Sequence, residues 1–396
     1  MNNSIRYLIV FLLFFLGENV SSFIHIDSKV IMVSIFILCM IVLLLTRSYK
    51  NRNLEIVAVL FIALYTFYKI KTDGGAGSRM IGFTVLLPFV ILLVFPVKKV
   101  TMKQLVMWKK LGFLCFTFYL VECLIAIFER FTYHLVFRPR GEILNTLSEN
   151  MLEDAFGFRS GGIHGHPLQN SLIVSIIMIF ILTSSLKAKF KYPLWLLGYI
   201  GVMCFNTRAA IVINGIFFLL YVVYQLFIER RYRLFFISLS VVLFASYLLL
   251  STELGGRLIT TGLFDGSAEV RINIWTIFDY YTLSDFLLGI NYDTFQLMKH
   301  RVGLYATENF YLDWTFLYGL LFSIPVIIFL ILIVRKNSYG YKKMDALFAF
   351  LLFILIASTN NSLSSTFFPL SIFLFCLLLF NPLRIKYWVS SRFLSK

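Results

Sequence analysis

Long apolar runs separated by short polar stretches fill this chain from one end to the other. Such runs are typical of helices that span a membrane, although several are shorter than the roughly 20 residues that a crossing needs. We therefore predict an all-α, polytopic membrane protein with about twelve transmembrane helices in one integral membrane domain, residues 1–396. The predicted segments are residues 5–20, 30–45, 54–70, 81–97, 111–128, 171–186, 192–205, 209–228, 234–250, 310–334, 346–357 and 367–380.

Composition supports the membrane prediction, since 59% of residues are hydrophobic and only 14% are charged. A soluble domain needs more charge than this to cover its surface. The net charge of +16 would suggest a nucleic-acid partner in a soluble protein. Here the basic residues lie in short loops, where they set topology and contact membrane lipids, so we predict no nucleic acid. The five cysteines lack metal-ligand spacing and are predicted to be small buried side chains.

The distribution of basic residues between the gaps predicts the topology. Alternate gaps, starting with the N-terminus, hold 23 of the 36 Lys and Arg residues. The positive-inside rule then places both termini in the cytoplasm of a bacterial inner membrane, with residues 5–20 retained as the first helix. Two long loops, residues 129–165 and 251–308, face outward. Within the second loop, residues 270–281 are predicted to form a short amphipathic helix at the membrane surface.

Two arginines are candidates for function on the outer side. Arg208 follows Asn206 and Thr207 between two apolar segments, so it should lie at the outer membrane surface. An arginine there either snorkels to the interface as a topological residue or serves the function, and the pattern alone leaves both open. Arg271 lies on the predicted amphipathic helix, where it is either a surface charge paired with Glu269 or a functional cation.

Further polar groups occur where the second loop returns to the membrane. His300 is either a solvated histidine or a proton acceptor. Glu308 precedes Asn309 at a predicted helix start, where a carboxylate either caps the helix or acts as a general base. Asp313, one turn later, could orient an arginine or line a polar cavity.

A histidine-containing segment, residues 164–170, ends the first long loop. His164 and His166 could share a metal, but no further ligand cluster accompanies them. Pro167 favours a helix start with Asn170 near its cap. The sequence shows no acidic metal cluster, and we predict neither a metal nor a cofactor.

The candidate segments resemble a family when they are taken in chain order. They are residues 164–170 (a His-Pro-Asn type segment), 206–210 (Thr-x-Ser-Arg-small), 267–275 (Ser-x-x-x-Arg-x-x-x-Trp), 288–291 (Gly-x-Gly), and 308–312 (Asn-x-Tyr-Leu) with the later Gly319. This order resembles the O-antigen ligase and O-antigen/capsule polymerase superfamily of bacterial membrane glycosyltransferases. The resemblance covers roughly residues 155–325. Glu308 stands where the ligases have histidine, which points to the polymerase branch.

The resemblance implies a GT-C-like fold and inverting, metal-independent glycosyl transfer from a polyprenyl-diphosphate-linked glycan at the outer face of the membrane. It implies that Arg208 and Arg271 hold the diphosphate, and that Glu308, or less readily His300, takes the acceptor proton. A chain-length regulator and a flippase are the implied partners. The predicted substrate-binding residues are Arg301, Asn309, Tyr311, Asp313, His166 and Trp275.

Two other functions stay open at this point. A ligase would transfer finished chains to an acceptor lipid or protein, with His300 replacing the missing histidine. A flippase would carry lipid-linked sugars without making a new bond, and such transporters usually show internal repeats and broken helices near the bilayer midplane.

Overall fold

The computed structural model describes the chain except residues 1, 47, 50, 51, 74, 75, 97–101, 138–156, 228, 229, 231, 253, 255, 257, 259–273, 302, 304–306, 308 and 383–396. Among the described residues the regular structure is entirely helical, which confirms the all-α class for that part of the chain. The elements are α1 (Asn2–Phe15), α2 (Glu18–Phe23), α3 (Ser28–Thr46), α4 (Asn53–Asp73), α5 (Ala76–Val94), α6 (Met102–Thr132), α7 (Pro167–Thr183), α8 (Ala188–Cys204), α9 (Arg208–Phe227), α10 (Tyr232–Ser251), the 3₁₀ helix η1 (Ile274–Tyr280), α11 (Leu283–Leu288), α12 (Tyr292–Arg301), α13 (Phe310–Tyr318), α14 (Leu320–Asn337), α15 (Lys343–Ala357), α16 (Ser362–Ser365) and α17 (Phe368–Leu379).

Several helices have the length and composition of membrane spans. Five within the described residues are long and apolar enough to cross: Ser28–Thr46, Asn53–Asp73, Gln104–Thr132, Arg208–Phe227 and Leu320–Asn337. Other apolar helices have 10–17 residues, so the total of about twelve spans stays a prediction. Large apolar side chains such as Leu44, Leu64 and Phe113 are at least 70% exposed, as lipid-facing side chains would be.

The first predicted segment, residues 5–20, is not one helix. The helix is interrupted at Gly17, because α1 ends at Phe15 and α2 begins at Glu18. The backbone of the first long loop passes so close that a Cβ on Gly17 would lie 2.5 Å from the carbonyl oxygen of Ile163 and 2.6 Å from Cα of His164. Glycine is therefore required by a tertiary contact, which the local apolar pattern does not reveal.

The predicted tenth segment, residues 310–334, is also divided. Gly319 adopts φ 76°, and a Cβ there would lie 2.2 Å from the carbonyl oxygen of Leu287. Gly289 packs against the same point with φ 74°, and the adjacent Ile290 N–H donates to the carbonyl of Phe316 at 2.9 Å. Two glycines in left-handed conformations thus let the α11–α12 connection dock onto the break between α13 and α14.

Two further predictions need correction where the long loops begin and continue. The first loop starts later than residue 129, because α6 continues to Thr132. In the second loop, the described part of the predicted amphipathic helix is the 3₁₀ helix η1, which is more tightly wound than the α-helix that the pattern predicts, and residues 270–273 lie outside the described residues. It is nevertheless two-sided, with Ile274 and Ile277 buried and Trp275 53% exposed.

Two buried charged groups and one exposed lysine at one end of the bundle are joined in a network. Arg52 donates to Glu55 and to the carbonyls of Leu92 and Phe95, which end α5. Lys336 Nζ lies 2.6 Å from the other Glu55 oxygen. Arg6 donates to the carbonyl of Val94, also at the end of α5, at 3.0 Å. We call this region, defined by Arg6, Arg52, Glu55 and Lys336, the paired-charge end. Its three basic residues belong to gaps predicted to be cytoplasmic, and that orientation stays a prediction.

The interior between the ends is densely aromatic. Phe14 lies 4.9 Å from Phe118 and 5.6 Å from Phe375, measured between ring centroids, and Phe353 stacks on Phe373 at 4.1 Å. All five cysteines are buried and free, which confirms the prediction that they pack as small apolar side chains.

Candidate functional site

The end of the first long loop is held by two buried carboxylates of α6. Glu129 accepts backbone N–H groups from Gly161 at 2.8 Å and Gly162 at 3.1 Å, and its other oxygen accepts from Val136 at 2.8 Å. Glu122 accepts the Ile163 N–H with both oxygens, at 3.0 and 3.3 Å. Because a buried carboxylate needs several donors, these bonds fix residues 161–163 against the helix.

Side-chain amides complete the attachment of this loop. Asn19 donates to the carbonyl of Gly162 at 2.9 Å, while its own backbone N–H donates to Ile163. Asn170 donates to the carbonyl of Gly161 instead of capping α7, whose N-cap is His166 followed by Pro167. The predicted helix start at Pro167 is confirmed, whereas Asn170 holds the loop through Gly161 and does not cap the helix.

The turn between α8 and α9 lies against the same loop. Asn206 adopts φ 53° and its side chain donates to the carbonyl of Phe158 at 3.2 Å. The N–H of Ser160 donates to the carbonyl of Cys204 at 3.3 Å. The segments 157–166 and 204–208, which are far apart in sequence, therefore form one unit, with Arg208 at the start of α9.

Two more arginines lie at this turn, and the sequence analysis missed both. Arg130, 2% exposed, donates to the carbonyl of Phe158 at 2.6 Å. Arg159 is half-buried and donates to the carbonyl of Phe205 at 3.5 Å, and its charge acts on His166. Arg208 is half-buried as well. Three guanidinium groups thus border one turn, which is a setting suited to an anionic ligand.

The two histidines of the loop lie in different environments. His166 is exposed at the start of α7. His164 is fully buried, and its ring centroid lies 4.6 Å from that of Phe368 and 5.7 Å from that of Phe118. Burial lowers the pKa of His164 to about 3, so the ring is neutral at physiological pH. Within the described residues, no group of three His, Cys, Asp or Glu side chains is arranged to hold a metal.

Asp313 is buried at the centre of a second polar cluster. One carboxylate oxygen accepts from the Thr307 hydroxyl and the other from the Ser364 hydroxyl, each at 2.5 Å. The described charge that acts on Asp313 is that of Lys299, whose Nζ also lies 5.0 Å from the Phe295 ring centroid, and the alternatives of orienting an arginine or lining a polar cavity stay predictions.

The remaining predicted residues near this cluster are divided between surface and interior. His300 and Arg301 are exposed at the end of α12, while the neighbouring Lys299 is only 8% exposed. Tyr311 is half-buried, and its ring packs edge-on against that of Phe310. Asn309 immediately precedes α13, and its Oδ1 is buried without a hydrogen bond.

Arg271 and Glu308 lie outside the described residues. Their nearest described neighbours in sequence are Ile274 after the first, and Thr307 and Asn309 on either side of the second. The structure thus fixes the residues that flank Glu308, one of them through the Asp313 hydrogen bond.

The sequence analysis passed over the polar segment 358–366 as a simple connection. Its residues Asn360, Ser362 and Ser364 are at most 4% exposed. Ser364 binds Asp313, and Phe368, just beyond the segment, contacts His164. This segment therefore links the two polar clusters. A run of eight Ser, Thr and Asn residues interrupted by one Leu, between two apolar segments, was the available signal.

The fold and these clusters define an all-helical protein with helices able to cross a membrane, and with polar segments gathered at one end. We call this region, comprising residues 157–166, 204–208 and 358–366, the loop end. No family model matches the chain, and no curated protein matches it either.

Proposed function

We propose that this protein is a membrane glycosyltransferase that polymerises polyprenyl-diphosphate-linked oligosaccharide repeat units into a surface polysaccharide. One observation carries the proposal: two pairs of segments that include or adjoin the family-like motifs are in contact. Phe158 and Ser160, shortly before the histidine segment, bind the turn before Arg208, and Gly289 contacts Gly319. The Ser364–Asp313 bond and the Phe368–His164 contact join these two pairs.

In the proposed reaction, the acceptor sugar hydroxyl attacks the anomeric carbon of the donor sugar. The new glycosidic bond forms as the bond from that carbon to the diphosphate oxygen breaks, and attack from the opposite face inverts the configuration. Polyprenyl diphosphate leaves with the electron pair. Arg208, with Arg271 as the resemblance implies, stabilises the growing negative charge. Arg159 and Arg130 add positive charge at the same turn.

The acceptor proton goes to Glu308 in this mechanism, with His300 as the alternative base. We predicted that Asp313 contacts the substrate. We now assign it a positioning role, because each of its carboxylate oxygens already accepts a hydrogen bond from a hydroxyl group of the protein. Through Thr307 it holds the chain one residue before Glu308. Asn309, with a buried oxygen that has no partner, is the better candidate for a direct contact.

The test is to return Arg208→Ala and Arg271→Ala separately to cells that lack the gene. We expect polymer formation to fall at least about a hundredfold in each, because preorganised charge at a leaving group is a large catalytic term. Arg335→Ala, an exposed arginine in the last turn of α14, is the matched control. Normal polymer length and amount in both variants, at normal protein levels, would contradict the proposal.

A flippase is the second candidate, favoured by the helix breaks at Gly17 and Gly319, since transporters often bind their substrates at broken helices. Purified protein in detergent, supplied with lipid-linked repeat units, distinguishes the two. A polymerase makes longer glycans there, whereas a flippase makes no product. Transfer of chains to an acceptor lipid or protein without elongation would identify a ligase.

A further inference from the structure

Lys69, near the end of α4, is a buried cation that the proposed mechanism does not use. Its side chain is 3% exposed, and its ammonium group lies 3.0 Å from the Asp73 carboxylate. Lys71, on the same helix, is exposed. A lysine near the end of a membrane span usually extends its ammonium group to water or to lipid headgroups. Because Lys69 keeps its ammonium group inside the protein, contacts there must compensate for the lost hydration.

The further contacts of Lys69 are backbone carbonyls at the corner between α11 and α12. Its Nζ donates to the carbonyl of Leu288, the last residue of α11, and to that of Ile290, each at 3.4 Å. Carbonyls at the end of a helix lack partners within the helix and carry partial negative charge, which a cation stabilises. A side chain of α4 therefore completes the end of α11.

Tyr65, one turn before Lys69 on the same face of α4, binds the neighbouring helix end. Its hydroxyl donates to the carbonyl of Tyr318, the last residue of α13, at 2.7 Å, and lies 3.5 Å from the carbonyl of Leu288. Two side chains of a helix that is long and apolar enough to cross a membrane thus bind the ends of two short helices. We call Tyr65 and Lys69 the α4 clamp.

The α4 clamp lies where a long segment of the chain closes on itself. Residues 289–319 leave this point towards α12 and return to it at the end of α13. A Cβ on Gly289 would lie 2.7 Å from the backbone nitrogen of Gly319. The segment includes His300 and Glu308, the two candidate bases of the proposed mechanism. We call residues 289–319 the base-bearing segment, and the clamp binds the chain at both of its ends.

The clamp connects this segment to a helix that is fixed elsewhere. About 21 Å from Lys69 along α4, Glu55 is bound by Arg52 and Lys336. The hydrogen bond from the Ile290 N–H to the Phe316 carbonyl joins the two ends of the segment to each other, whereas the clamp joins both ends to α4. The position of the segment relative to α4 therefore depends on the clamp.

We propose that Lys69, together with Tyr65, positions the base-bearing segment for removal of the acceptor proton, without touching the substrate. This inference rests on the proposed function for the reaction that it serves. The step is the one described above: the acceptor hydroxyl gives its proton to the base while its oxygen attacks the anomeric carbon and the diphosphate leaves. Misplacement of a reacting group by about 1 Å can lower a rate on the order of a hundredfold.

The test compares Lys69→Met, which keeps an unbranched side chain but removes the charge and the donors, with the control Lys71→Met. The full-length proteins in detergent are supplied with lipid-linked repeat units, and kcat and KM are determined per folded molecule. We expect Lys69→Met to lower kcat at least about tenfold. KM for the donor should not change, because the arginine turn that holds the diphosphate is not part of the clamp. Lys71→Met should match the wild type.

Tyr65→Phe is the second variant, since it keeps the ring and removes only the hydroxyl. Its kcat should fall by a smaller factor, about two- to tenfold. Backbone hydrogen exchange, followed by mass spectrometry, measures the attachment without any substrate. Exchange over residues 289–301 should be faster in Lys69→Met and Tyr65→Phe than in the wild type, while exchange over α7 should stay the same.

The inference is overturned if kcat per folded molecule is unchanged in Lys69→Met and Tyr65→Phe, since a purely structural contact would lower only the amount of folded protein. It is also overturned if exchange over residues 289–301 keeps the wild-type rate, or if Lys71→Met has the same effects as Lys69→Met. Wild-type protein that makes no polymer would instead reject the proposed function, and hydrogen exchange alone would then decide whether the clamp holds the segment.

Discussion

The two ends of the helix bundle pair their buried carboxylates with different partners. At the paired-charge end, Glu55 is fully buried and bonded to both Arg52 and Lys336. At the loop end, the buried carboxylates Glu122 and Glu129 accept backbone N–H groups instead, and both ring nitrogens of His164 and Oγ1 of Thr207 are buried without a hydrogen-bond partner, as Oδ1 of Asn337 is at the paired-charge end.

This difference indicates that the two ends have different roles. Unpaired buried polar atoms cost free energy, and proteins keep them mainly where a ligand or water completes the bonds. Saturated networks instead hold elements together, as the Glu55 network joins α4, α5 and α14. The comparison assigns stability to the ion pairs of the paired-charge end, and makes the buried Thr207 hydroxyl beside Arg208 the candidate for ligand contact at the loop end.

The largest expected effect follows from breaking the saturated network. Glu55→Gln would leave the Arg52 guanidinium, which is buried, without its counter-charge. We expect the free energy of unfolding to fall by about 3–5 kcal/mol. Thermal unfolding of the purified protein in detergent measures this, and the rate per folded molecule should not change.

Lys336→Ala is the matched control for that prediction. The Lys336 side chain is 34% exposed, so its loss should cost no more than about 1 kcal/mol. Equal losses in the two variants would show that the network does not stabilise the bundle through the buried pair.

The sequence predicted the helices wherever the apolar pattern was local. It was wrong at Gly17 and Gly319, where a helix ends because another part of the chain approaches its backbone. Such contacts join residues separated by more than a hundred positions in the first case, and about thirty in the second. Contacts between residues so far apart in sequence do not change the hydropathy pattern, although a glycine within an apolar run indicates a possible break.

The candidate site was predictable only where a polar residue stood alone. Arg208 was found because it interrupts two apolar segments. Arg130 was not, because it looked like the beginning of a loop, and α6 in fact carries it into the site. Glu18 lay inside a predicted helix that the structure breaks. Whether these residues belong to the candidate site depends on their neighbours in space, and the fold determines which residues those are.

An intermediate effect is expected at Glu18 and depends on pH. Burial raises the pKa of its carboxyl from 4.5 to about 7, and desolvation is the cause. Between these values the folded protein keeps a proton that the unfolded chain releases, so stability falls as pH rises through this window and is level above it. The loss is at most about 3 kcal/mol.

Unfolding temperatures of the wild type and Glu18→Gln, compared from pH 4 to pH 8 (about the span of the window), measure this effect. The variant lacks the titrating group, so it should gain stability relative to the wild type as pH rises. Lys29 lines the same recess as Glu18 and is present in both proteins, so it is common to the comparison. A constant difference between the two proteins would show that Glu18 is not desolvated, and would weaken the contrast between the ends.

The smallest expected effect on stability is at Thr207, where it separates structure from function. The side chain is 3% exposed and its hydroxyl has no partner, so Thr207→Val should change the free energy of unfolding by less than about 1 kcal/mol. If the loop end holds ligand, polymer formation should still fall about tenfold, because a hydroxyl beside Arg208 is lost. Thr183→Val is the control, since that buried hydroxyl already bonds the Ile179 carbonyl at 2.8 Å. Equal polymer formation in both variants would mean that the Thr207 hydroxyl does not bind a ligand.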